Sequence, residues 1–323
     1  MDPTTKVGGI VIDYSFVIPV YKNEESLLEL LSALEDALAR KPFSTEIIFV
    51  IDGSPDSSAE TLHCIAKTSR LNIKVVTHSR NFGSFAAIRS GLKLAEGSFV
   101  GVMSADLQED PLIVLKLFRS LEIDEADIAF GVRIFRNDPF FSKFVSSAYW
   151  HLYRRLINRD IPKGGVDVFA CRREVLTQIN SMREVNTSLI GLLYWVGYRR
   201  VYVEYERNIR KHGKSSWTFK KKLKYMADSV FSFSDLPIRI VRGLGFGGFI
   251  SSILYGAFLV LASVAGKIEV PGYAPIMLAI TFGNSFVLIA LSILGSYLWR
   301  IFENSQGRPV AVLTTRTEIG GTK

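Results

Sequence analysis

Residues 243–266 and 274–299 constrain this chain most, because they run for 24 and 26 positions without a charged side chain. A helix rises about 1.5 Å per residue, so each stretch is longer than the roughly 30 Å hydrocarbon core of a bilayer. Two helices buried in a soluble core would rarely need such lengths. The connector at 267–273 contains Pro271-Gly272, so the two spans read as a hairpin. Arg239 and Arg242 precede the first span and Arg300, Arg308 and Arg316 follow the second, whereas the connector carries one Lys and one Glu. By the positive-inside rule, everything outside the hairpin lies on the cytoplasmic side. The expected division is a soluble domain over 1–218, amphipathic juxtamembrane helices over 219–242, spans at 243–266 and 274–299, and a cytoplasmic tail over 300–323.

The net charge of +8 is concentrated ahead of the first span. Residues 199–224 carry ten Lys or Arg against two Glu, a surplus of 10 − 2 = 8 that equals that of the whole chain. Placed there, the basic run favours anionic lipid headgroups or a phosphorylated substrate, and nucleic acid is not expected as a partner. Within it, residues 207–217 form a basic loop suited to gripping phosphates. Lys220, Lys221, Lys222 and Lys224 alternate with Leu223, Met226, Val230 and Phe233, the pattern of an amphipathic helix lying on a membrane surface. Residues 1–9 lack the layout of a signal peptide. Cys64 and Cys171 have no metal-site spacing and read as buried, inert thiols in a reducing compartment.

The first half alternates strands and helices. Apolar runs at 14–20, 46–51, 73–77 and 99–103 read as strands, with a fifth over 127–132. Helical patterns separate the first four; Asn23 reads as the cap of the first helix, with Leu27, Leu28, Leu31, Leu34 and Leu38 on its buried side. Short loops and this order imply a doubly wound, mainly parallel α/β sheet. A further helix is expected over 139–159. In such a sheet, ligands bind at the carboxyl ends of the strands. Three acidic turns belong there or nearby: Asp52-Gly53-Ser54-Pro55-Asp56, Ser104-Ala105-Asp106-Leu107-Gln108, and Gly164-Gly165-Val166-Asp167. Asp106 and Gln108 offer oxygen ligands to a hard cation, but Asp106 is equally suited to capping the next helix. Asp167 reads first as a turn residue. A nicotinamide-binding fold is excluded: the expected glycine fingerprint is absent after the first strand, and its chance copy at Gly243-Leu244-Gly245-Phe246-Gly247-Gly248 opens an apolar span.

Phe16-Val17-Ile18-Pro19-Val20-Tyr21-Lys22-Asn23-Glu24-Glu25, Asp52-Gly53-Ser54-Pro55-Asp56 and Ala105-Asp106-Leu107-Gln108 resemble, in order, the signatures of family 2 (GT-A) glycosyltransferases. With Arg210-Lys211-His212-Gly213-Lys214-Ser215 and the C-terminal hairpin, the chain resembles the polyprenyl-phosphate group. That group includes dolichol-phosphate mannosyltransferases and bacterial undecaprenyl-phosphate sugar transferases. The resemblance implies a GT-A domain followed by a transmembrane hairpin in a bacterial inner membrane. It also implies transfer of one sugar from a nucleotide-sugar to a polyprenyl phosphate, with inversion. Pro19, Tyr21 and Glu24 would line the nucleotide pocket, Asp52 would read base or ribose, and Asp106 and Gln108 would hold Mg²⁺ or Mn²⁺. Arg210 and Lys214 would close over the diphosphate, Arg133 and Lys143 would contact the lipid phosphate, and Asp167 would sit near the reacting centre. A uridine carrier is mildly preferred over guanosine, and the glycines at 243, 247 and 256 would suit packing of the two spans on each other or joining of subunits in a homo-oligomer.

Two departures stand out. Ser104 and Ile51 occupy positions where the family commonly has aspartates, which lowers the negative charge of the site. A processive polysaccharide synthase is the competing enzyme, but its Gln-x-x-Arg-Trp signature is absent. A catalytically inactive membrane scaffold is the competing non-enzyme.

Overall fold

The computed structural model describes residues 12–39, 43–123, 126–134, 154, 160–162, 165–182, 184, 187–208, 211, 219–234, 236–265 and 273–319. Eight strands make one sheet: β1 (Tyr14–Val20), β2 (Thr45–Ile51), β3 (Asn72–His78), β4 (Phe99–Val102), β5 (Ile128–Arg133), β6 (Phe169–Arg172), β7 (Arg200–Tyr205) and β8 (Leu313–Ile319), in the order β7-β5-β6-β4-β1-β2-β3-β8. The pairs β1–β2, β1–β4, β2–β3 and β5–β7 are parallel. Those of β6 with β4 and β5, and of β8 with β3, are antiparallel. The mainly parallel expectation therefore holds, with two reversed strands.

Helices cover both faces, which is why the central strands are continuous apolar runs and not alternating ones. On one face Phe16, Ile18, Ile47 and Phe49 pack with Leu30, Leu34 and Phe118 from α1 (Leu27–Leu38) and α4 (Pro111–Ile123), and with Leu62 of α2 (Ser58–Ala66). On the other, Val17, Ile48, Val50 and Val100 meet α3 (Ser84–Leu94), α5 (Arg173–Ser181) and α6 (Leu189–Trp195). Fully burying side chains of this size contributes about 1.5–3 kcal/mol each. Cys171 lies in this second core, where burial pushes its thiol up to about 12. Cys64, by contrast, is exposed on α2, because it falls on the side of the helix away from Leu62 and Ala66.

Three helices follow: α7 (Phe219–Phe233), α8 (Leu236–Val264) and α9 (Tyr273–Ser305). The amphipathic α7 forms as expected, but it docks on the α/β domain. The Tyr225 ring stacks on Phe85 at 5.1 Å, its hydroxyl meets Ser188, and the Phe233 ring lies against Gly191, where any β-carbon would come within 2.3 Å of it. Its other side reaches α9 through Asp228 and Arg300, 2.7 Å apart, and through Phe231 and Tyr297. Helices α8 and α9 are 29 and 33 residues long. The stretches Leu236–Tyr255 and Phe286–Ser305 are long and apolar enough to cross a membrane, and 0% of either is buried in protein. A buried-core origin for them does not fit.

β8 was not anticipated in the 300–323 segment. It brings the chain back from α9 to the domain, with the Ser79 N–H donating to Val312 O at 2.9 Å.

Candidate active site

The strand directions gather the chemistry at one sheet edge. β4 and β5 run the same way because each opposes β6, so the carboxyl ends of β1–β5 and β7 coincide with the beginnings of β6 and β8. That edge holds Pro19, Tyr21 and Glu24 after or within β1, Asp52 after β2, Asp106 and Gln108 after β4, Arg133 at the end of β5, and Asp167 before β6. Arg210, Lys214 and Lys143, the other expected phosphate contacts, lie outside the described residues.

The turn after β4 is unusual. Leu107 has φ +59°, in the left-handed region that a leucine rarely occupies. Such a conformation costs of order 1–3 kcal/mol and is characteristic of functional turns. It folds the chain so that Asp106 Oδ1 accepts from the Ser104 hydroxyl at 2.6 Å and from the Gln108 N–H at 3.2 Å. Asp106 does not cap α4. That role belongs to Asp110, whose Oδ1 accepts the Leu112 N–H at 2.8 Å.

Sequence reasoning missed Glu109. Its side chain is 1% exposed, contacts the Ser104 hydroxyl, and lies 3.1 Å from Arg207 Nε as an ion pair whose geometry is not that of an aligned hydrogen bond. Burial pushes the Glu109 carboxyl up, Arg207 pulls it down, and the Asp106 and Asp167 charges push it up again. The only prior signal was an acid immediately after Gln108; nothing in the spacing turns it inward. Arg207 belongs to the segment after β7, which is tied to the turn by the Asn208 N–H donating to Gln108 O at 2.9 Å. Further along it, Lys211 pairs with Glu29 on α1.

Arg133 and Asp167, expected separately, form an ion pair. The Tyr205 hydroxyl lies 3.4 Å from the same Asp167 oxygen. Burial lowers the affinity of Arg133 for its proton, but Asp167 and Tyr205 outweigh it and hold the guanidinium above its usual range. Tyr205 is pushed up by burial first and by Asp167 and Glu109 next, so it stays a neutral hydrogen-bond donor.

The β1 and β2 loops are stitched together. Lys22 N–H donates to Ser54 Oγ at 2.7 Å, Asn23 N–H to Ser58 Oγ at 3.2 Å, and Ser57 N–H to Glu24 Oε2 at 2.8 Å. Glu24 thus clasps the neighbouring loop. This clasp also explains why α1 begins at Leu27 and not just after Asn23, whose side chain turns back to accept the Tyr21 N–H. Burial pushes the Asp56 carboxyl up, but hydrogen bonds from Ser54, Ser58 and the Glu24 N–H outweigh it and hold the group below the usual range. Asp52 is 2% exposed, and its oxygens accept the Phe82 and Gly83 N–H groups, each at 2.8 Å.

Among the described residues no three His, Cys, Asp or Glu side chains converge as a metal cage. The donors at the Asp106 turn are hard oxygens. They fit Mg²⁺ or Mn²⁺, which use one or two carboxylates and complete their shell with substrate phosphates and water.

Residues 15–179 match the model of glycosyl transferase family 2. An uncharacterized glycosyltransferase of Synechocystis sp. is 32% identical over 306 residues, covering 94% of this chain and 96% of the relative. The bactoprenol glucosyl transferase of Shigella phage SfX is 28% identical over 305 residues, covering 94% of this chain and 99% of the relative. Among solved structures, the glucosyl-3-phosphoglycerate synthase of Mycobacterium tuberculosis superposes with a TM-score of 0.47 at 17% identity, over 69% of this chain and 78% of that one. This chain is a glycosyltransferase and belongs to glycosyl transferase family 2.

Proposed function

We propose that the protein transfers one sugar from a nucleotide-sugar, with uridine diphosphate the preferred carrier, to a polyprenyl phosphate at the cytoplasmic face of a bacterial inner membrane. The observation that carries this reading is spatial. The Asp106 turn and the Arg133–Asp167–Tyr205 cluster share the sheet edge from which the chain leaves for α7–α9 and to which it returns as β8. A lipid phosphate held at a bilayer surface would be delivered to that edge. The end-to-end likeness to a bactoprenol glucosyl transferase supports the same acceptor class.

The acceptor phosphate has a second pKa of about 6 and is largely ionised at neutral pH, so no strong base is required. One of its oxygens attacks the anomeric carbon while the bond from that carbon to the diphosphate oxygen breaks, and the nucleoside diphosphate leaves with the electron pair. Attack opposite the departing group inverts the centre. Arg133 offers a planar fork to the acceptor phosphate, and Asp167 with Tyr205 sets its orientation. Asp106 and Gln108 would hold Mg²⁺ or Mn²⁺, which when bound neutralises charge on the diphosphate. Arg210 and Lys214 would add positive charge over the same group.

Incubating the purified protein in detergent with polyprenyl phosphate, Mn²⁺ and a panel of labelled nucleotide-sugars tests the reading. One sugar per lipid is expected. A polymer would replace it with the synthase reading, and no product from any donor with the scaffold reading.

A further inference from the structure

His78 closes β3 and is fully buried beneath the β2–α2 turn. Its Nδ1 lies 2.9 Å from Asp52 Oδ1 and its Nε2 lies 2.9 Å from the Ser90 hydroxyl on α3. A carboxylate only accepts, so the network assigns a ring proton to Nδ1. Three of the roughly four lone-pair sites of the Asp52 carboxylate are then used inside the protein. The loop it holds is also fixed by shape. Phe82 stands edge-on to the His78 ring at 5.5 Å, and Arg80 lies over the Phe82 ring at 4.0 Å. Gly53 has φ +54°, and a β-carbon there would come within 2.3 Å of the Arg80 carbonyl carbon. The loop therefore rests directly on the Asp52-Gly53 turn.

We infer that the chain Ser90–His78–Asp52 is a positioning device for residues 80–83, and that it serves the donor site by holding this loop in place. An Asp–His–Ser sequence of hydrogen bonds otherwise suggests nucleophilic catalysis. Here the imidazole is sealed from solvent, and Ser90 sits mid-helix in α3 with its hydroxyl committed to the imidazole. The device acts by alignment. Losing it frees two backbone N–H groups and lets the loop drift from the crevice that the clasped β1 and β2 loops line. This inference rests on the nucleotide-sugar reading for what the loop faces, but not for how the loop is held.

Two readouts separate the two claims. In full-length protein without ligand, His78→Phe is expected to raise hydrogen exchange at the Phe82 and Gly83 amides at least tenfold. Its Kd for uridine diphosphate with Mn²⁺ should rise about tenfold, while kcat at saturating nucleotide-sugar stays within twofold. His78→Asn, whose amide can occupy the Nδ1 position, should recover most of the affinity, and Ser90→Ala should weaken binding only two- to threefold. If His78→Phe folds poorly, the Ser90→Ala and His78→Asn measurements decide alone. Unchanged exchange in His78→Phe, or in Ser90→Ala where His78→Phe folds poorly, would overturn the positioning role. Altered exchange with unchanged nucleotide affinity would overturn the link to the donor. A wild-type protein that binds no nucleoside diphosphate would overturn the donor reading while leaving the exchange result standing.

Discussion

Buried charge gathers at both ends of the same parallel strands, and the two gatherings are built differently. At the amino ends, Glu46 is fully buried and Lys74 nearly so; Lys74 Nζ lies 2.8 Å from Glu46 and 2.9 Å from Glu96, and Glu46 also accepts from Ser15 and the Glu96 N–H. These residues sit in regular strands or directly beside them. At the carboxyl ends, Asp106, Glu109 and Arg207 surround a left-handed Leu107, and Lys22 across the edge is left-handed as well, at φ +57°. The Arg133–Asp167 pair beside them stays partly exposed. The first network ties strands together, with Lys74 shared between the two carboxylates. The second keeps strained turns and reachable charges, as a site must if a diphosphate and a second phosphate are to enter. Burial of charge alone does not separate the two ends; irregular backbone together with access does.

Breaking each network should therefore give different phenotypes. The largest effect is expected for Asp106→Asn, a fall of about 10²–10³-fold in kcat for sugar transfer. Melting temperature should hardly change, and excess chelator should reproduce the loss in wild type. Full activity in chelator would remove the metal from the scheme.

Lys74→Ala should do the reverse. It strands Glu46 in the core and should cost about 3–5 kcal/mol of stability in denaturant unfolding, with the donor KM of the folded fraction unchanged. Asp167→Asn comes next, lowering kcat roughly 10–100-fold with little change in nucleotide-sugar affinity, if the residue orients the acceptor side as proposed. An unchanged turnover would withdraw Asp167 from the site.

The smallest effect concerns pH. Burial lowers the Lys74 pKa, but the bonds to Glu46 and Glu96 outweigh it and raise the group above its ordinary 10.5. Its raised folded value means that this stability is fully present below about pH 10.5 and is lost as the pH climbs through the folded value. Unfolding midpoints should fall more steeply above pH 10.5 in wild type than in a Lys74→Met variant, with no such difference in slope between pH 8 and 10.

Several features were legible without coordinates. The apolar runs of β1–β5, the long charge-free stretches at 243–266 and 274–299 and the acidic turns at 52–56 and 104–108 follow from local pattern, because burial on both faces and membrane length write themselves into consecutive residues. β6, β7 and β8 carry no such pattern. β8 in particular is a polar, exposed edge strand, recognisable only by its pairing with β3.

By itself, then, the sequence determined the class of fold, the family and the acidic turns that make up the candidate site. Only the tertiary structure decided which acids meet which cations. Asp110 and not Asp106 caps α4, Glu109 turns inward to Arg207, Arg133 finds Asp167, and Asp52 is claimed by His78 and the 82–83 backbone. The physical reason is range. Hydrophobic periodicity is a local property, whereas a hydrogen bond across 26 or 34 residues of chain depends on register between strands, which no single stretch encodes.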